Sequence, residues 1–110
     1  MHETEFRRAR ELLAGGWSEP LSLDTDGKIC SINSEMIQRF CVSDALAAAA
    51  STIADPVWME QRLMALLGFG EWGYVRWHAW LEAPERAFTD VLALFDRAIL
   101  RAKHEARGAA

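Results

Sequence analysis

Residues 89–102 read TDVLALFDRAILRA. Val91, Leu94, Phe95, Ala98, Ile99 and Ala102 recur at intervals of three and four, the spacing that lines one face of an α-helix. Polar residues fill most other positions, so the stretch predicts an amphipathic helix, with Pro84 and Thr89 as its two candidate starts. An apolar stripe of this kind must be covered, and the rest of the chain has to supply the cover.

Working outward, Phe6, Ala9 and Leu13 predict a helix over Glu3–Ala14 that stops at Gly15-Gly16. Leu21 and Leu23, the turn-rich Asp24-Thr25-Asp26-Gly27, then Ile29 and Ile32 predict a β-hairpin, because Asp-Gly supplies the positive φ of a tight turn. Asn33 or Ser34 is placed to cap a second helix running through Met36, Ile37, Phe40, Cys41 and Leu46 into an alanine run whose small side chains admit a close neighbour. Asp55-Pro56 opens a third, marked by Trp58, Met59, Leu63, Leu66 and Leu67 and ended by Gly68-Phe69-Gly70. Between it and the last helix, Trp72, Tyr74 and Arg76 alternate like a strand, whereas Trp77, Trp80 and Leu81 fit a helical turn. The expectation is a mainly helical α+β fold, about four helices with one small β-hairpin, in a single domain spanning residues 1–110.

Composition narrows the function classes. At 110 residues, 51% hydrophobic and 25% charged, the chain has the make-up of a soluble globular domain. A net charge of -4 argues against a protein whose main work is holding phosphate backbones. The basic cluster Arg97, Arg101, Lys103 and Arg107 reads as a solvated face complementing a helix C-terminus. The apolar run Ala45–Ala50 falls far short of the roughly 20 residues of a membrane span. Acidic residues precede basic ones in MHETEFRRARELLAGG, and no apolar h-region follows, so a secretory signal is not expected and the cytoplasm is. Cys30 and Cys41 form no zinc pattern and read as free thiols, Cys41 as a small buried hydrophobe.

No stretch carries a complete catalytic signature. Asp24-Thr25-Asp26-Gly27 resembles the middle of a calcium loop, but aligned on the glycine the twelfth position is Asn33, where a bidentate Glu is required. His78 has Glu82 four residues on, and Cys41 and Asp44 far away, a loose set for general-base chemistry. Trp17, Trp77 and Trp80 are expected to pack beneath the terminal helices, with Arg76 and Arg86 paired to acids. Trp and Arg are also the side chains that dominate interface hot spots, so Trp72, Trp77, His78, Trp80 and Arg86 are the candidate interaction residues. No catalytic residue, metal or cofactor is expected.

Three blocks, GWSEPLSLDTDGKICS (16–31), RFCVSDALAAAA (39–50) and RWHAWLEAPERAFTDVLALFDRAI (76–99), together resemble a small bacterial and phage family known only as a domain of unknown function. The resemblance covers most of the chain, and its most specific part is the Thr-x-x-Val-x-x-x-Phe-Asp-x-Ala-Ile helix. Family members carry Asn-Asp after the tryptophan, where this sequence has His78-Ala79, so no role of those polar residues carries over. The resemblance implies a small cytoplasmic domain of mobile-element type and no activity. The function expected from all of this is a noncatalytic protein-interaction module. Its specific form is phage-encoded and acts on a host protein, for example as an inhibitor of a defence complex. Self-association as a homodimer, through an exposed Trp or the alanine-rich helix, fits the same composition. The alternative is a small-ligand binder or enzyme with a site around His78, Glu82 and Arg86.

Overall fold

A computed structural model describes residues 2–70 and 72–108. The described residues form α1 (Glu3–Ala14), β1 (Leu23–Asp24), β2 (Ile37–Arg39), α2 (Val42–Ala49), α3 (Asp55–Leu66), α4 (Tyr74–Glu82) and α5 (Phe88–Gly108). The class is mainly helical α+β, but the described residues form five helices rather than about four, because residues 74–82 form a helix of their own.

The apolar stripes read from the sequence are the faces that meet. Phe6, Ala9 and Leu13 of α1 are buried, as are Val91, Leu94, Phe95, Ala98, Ile99 and Ala102 of α5. The rings of Phe6 and Phe95 meet edge to face, 6.1 Å apart at 76°, the geometry that aromatic quadrupoles favour. Helix α1 packs on α5 and α2, while α3 packs on α2 and α5, so these four close a ring around the core. On the α2 side Ala45 and Ala49 are buried beside Leu46, which is where small side chains admit a neighbouring helix.

The paired strands are present, but with a different second strand from the one expected. Asp24 does make the turn: its Oδ1 accepts from the backbone N–H groups of Asp26 and Lys28, and Gly27 takes φ 77°. Only an isolated bridge joins Leu23 to Ile29, however, and the antiparallel ladder pairs Leu23 with Arg39 and Asp24 with Ile37. Where a helix was expected from Asn33 or Ser34 onward, the chain turns through residues 32–36 and is extended over residues 37–40, and α2 begins at Val42. Long-range backbone pairing overrides the local helical spacing: Thr25 N–H donates to Met36 O, Phe40 N–H to Gly16 O, and Ser18 N–H to Phe40 O.

Several helix ends are satisfied by side chains from elsewhere in the chain. Cys41, at the α2 N-cap position, gives no side-chain cap. Instead Val42 N–H donates to Glu19 Oε2 at 2.8 Å, and Cys41 N–H to Ser22 Oγ at 2.9 Å. At the other end of α2, Arg8 donates to the Ala49 carbonyl, and Arg97 does the same for Leu66 at the end of α3. Unpaired groups at helix termini are costly when they leave water, so these distant bonds tie the helices together as well as capping them.

Candidate functional site

The tryptophan-rich segment starts at Trp72, which is 81% exposed, and enters α4 through Gly73. A Cβ at Gly73 would meet the Phe69 carbonyl oxygen at 2.5 Å, so the chain can approach itself this closely only with glycine here. Helix α4 buries Trp77 and Leu81, leaves Tyr74 and Trp80 half-covered, and exposes Val75, Arg76, His78, Ala79 and Glu82. Val75 is 86% exposed although it is apolar.

The five candidate interaction residues therefore separate into two environments. Trp77 belongs to the core, where its Nε1–H donates to Glu60 Oε2 at 3.1 Å. Trp80 stacks on Trp77 at 5.9 Å, and the Arg86 guanidinium lies 4.0 Å over the Trp80 ring. Arg86 Nε–H also donates to the Trp80 carbonyl at 2.8 Å, with Asp90 at 3.8 Å, so this arginine is held by structure it helps to build. Trp72 and His78 remain facing solvent.

Of the His78, Glu82 and Arg86 set, His78 and Glu82 are exposed four residues apart on α4, and the Arg86 guanidinium lies over the Trp80 ring. Among the described residues, no hydrogen bond links His78 to Glu82, Cys41 or Asp44. Cys41 is buried, and burial pushes its thiol above the ordinary value, which disfavours the thiolate a nucleophile requires. Among the described residues no group of three or more His, Cys, Asp or Glu is placed to hold a metal ion. No described helix is long and apolar enough to cross a membrane.

A partly buried polar knot lies at the start of α2. Glu19 Oε2 accepts from Trp17 Nε1–H and Val42 N–H, both at 2.8 Å, and Ser22 Oγ–H donates to Asp44 Oδ2 at 2.7 Å. Burial raises the Glu19 carboxyl from 4.5 to about 7; the two N–H donors pull it down, and the charges of Glu82 and Asp44 push it further up. The Trp17 ring stacks on Phe88 at 5.9 Å, which fastens this segment to α5.

A cleft of about 540 Å³ opens between the first turns of α1 and the exposed side of α3. Its floor is Phe6; Asp55, Trp58, Gln61, Arg62 and Ala65 line the α3 side, and His2, Thr52 and Ala54 complete it. Asp55 is the first residue of α3, and Ala54 at the N-cap position gives no side-chain cap. Asp55 closes the preceding turn, its Oδ2 accepting from Ser51 and Thr52 N–H and its Oδ1 facing His2 Nε2, each at 2.9 Å. Burial alone would raise the Asp55 carboxyl, but hydrogen bonds from His2, Thr52 and Ser51 outweigh it and bring the value from 3.8 to about 2. Arg62 forks onto both carboxylate oxygens of Glu105.

The sequence reading missed this cleft, having taken Trp58 as a marker of the buried face. The signal was there in the phase: Met59, Leu63 and Leu66 share one side of α3, while Trp58, Gln61, Arg62 and Ala65 run along another.

No curated protein and no solved structure matches the chain. A family model does match, over residues 3–101, and the chain belongs to that family of unknown function, DUF6197.

Proposed function

We propose that this protein is a noncatalytic interaction module that docks a partner protein on the outer face of α4. The observation that carries the reading is the exposure of Trp72 and Val75, three residues apart beside a helix that buries only its Trp77–Leu81 side. Covering two such side chains is worth on the order of 5 kcal/mol at about 25 cal/mol per Å² of apolar surface. Exposed His78, Arg76 and Glu82 supply a polar rim around that apolar centre, the usual anatomy of a hot spot.

In its specific form the reading makes the chain a phage or mobile-element product, working in the cytoplasm on a host complex. Its net charge of -4 suits a partner with a basic face. A second copy of the chain is the other partner class, with Trp72 or the exposed Ala47 and Ala48 of α2 at the contact.

The test uses the tagged protein and its Trp72→Ala/Val75→Ala variant as parallel baits in host lysate, with sedimentation of each purified protein alongside. A near-stoichiometric protein, or a dimer, seen with the wild type and lost with the variant supports the reading. A partner held equally by both baits, or a wild type that is monomeric and binds no protein, overturns it.

A further inference from the structure

We infer that the cleft between α1 and α3 binds a small, uncharged, planar aromatic molecule. Its volume of about 540 Å³ falls within the roughly 300–1,000 Å³ of small-molecule sites. Its surfaces are aromatic and aliphatic: the Phe6 ring beneath, the methyl groups of Ala54 and Ala65, and the Trp58 indole, 60% exposed at the rim.

The charged groups in the wall are already engaged. Asp55 meets His2 and accepts two backbone N–H groups, and Arg62 is forked onto Glu105. A charged ligand would share groups that already have partners, and would gain little there to offset the desolvation of its own charge. Among the described residues, the Gln61 amide and the Trp58 indole N–H have no hydrogen-bond partner, so these groups remain to read a ligand. The amide offers a donor and an acceptor together, and the indole offers a face for stacking. A flat neutral ring carrying an amide-like edge satisfies both, whereas an aliphatic or ionic ligand leaves one or both unused.

The probes are benzamide, benzoate and benzamidinium, which share one ring and one shape and differ in charge. They are titrated into the ¹⁵N-labelled full chain while the Trp58 indole N–H and the Gln61 side-chain amide are followed by NMR. Benzamide is expected to shift both signals saturably, with each charged analogue weaker by about tenfold or more. Trp58→Ala should weaken benzamide binding by about tenfold, the loss expected for a stacking ring, and Ala65→Phe should block it by filling the cleft. Both positions are exposed, and unchanged Trp77 and Val91 signals will show that the core is intact. No saturable shift with benzamide, tighter binding of a charged analogue, or binding that survives both substitutions would overturn the inference. Trp72 and Val75 lie outside this cleft, so the result is independent of the α4 docking surface.

Discussion

Replacing Glu19 with Gln should stabilise the protein at alkaline pH and leave it nearly unchanged in acid. The folded carboxyl titrates at about 7 against an ordinary 4.5, so between those values the folded state binds the proton more tightly than the unfolded chain does. Stability from this group is fully present below pH 4.5, falls as pH rises towards 7, and is level above that. The span of the shift corresponds to roughly 3 kcal/mol at about 1.4 kcal/mol per pH unit. Glutamine cannot titrate, and its carbonyl oxygen can accept the same bonds from Trp17 and Val42. With an unfolding entropy of roughly 2.1 cal/mol/K per residue over the chain, 3 kcal/mol corresponds to about 13 °C in Tm. Melting curves of both proteins at pH 5 and pH 8 test this, since the other titrating groups cancel in the difference. The variant should melt close to the wild type at pH 5 and about 13 °C above it at pH 8. A variant that melts at or below the wild type at pH 8 would refute the reasoning. It would mean that the two N–H donors and the α2 dipole hold the carboxylate more strongly than burial disfavours it.

Three further outcomes are expected. Phe95→Ala removes a fully buried ring that meets Phe6 edge to face, and urea unfolding should show a loss of about 3–5 kcal/mol; a loss under about 1 kcal/mol would contradict the packing described. Gly73→Ala places a methyl group against the Phe69 backbone, so α4 must shift, and a cost of about 1–3 kcal/mol should come with an altered near-UV signal from the Trp77–Trp80 stack. Asp55→Asn should lower the urea midpoint at pH 7, with the gap to wild type closing as pH falls from 3.8 through about 2. A carboxyl depressed in the folded state contributes only above those values, and a gap constant down to pH 2 would count against the His2, Ser51 and Thr52 bonds.

The helices α1, α3 and α5 were legible in the sequence because their stripes are long and their ends carry punctuation such as Gly15-Gly16 and Asp55-Pro56. Segment 72–82 was ambiguous because strand-like and helix-like spacings overlap in it, and the burial of Trp77 and Leu81 settles it as α4. Residues 33–41 misled, since their spacing suits a helix while the backbone partners that make part of them a strand lie up to 24 positions away, at Gly16–Thr25. The exposure of the five candidate residues was not legible in their spacing: Trp72 and His78 face solvent, Trp77 serves the core, and Trp80 and Arg86 are occupied with each other.

By itself the sequence determined the helical class, the faces of the terminal helices and the membership of Cys41 in the core, because apolar periodicity and residue chemistry are local properties. Tertiary structure alone decided which tryptophans face water, that Glu19 and Ser22 bond the start of a helix 23 and 19 residues on, and that Phe6 and Trp58 share a cleft. Each of those depends on which distant segment supplies the burial or the hydrogen bond, and a one-dimensional pattern records only that the demand exists.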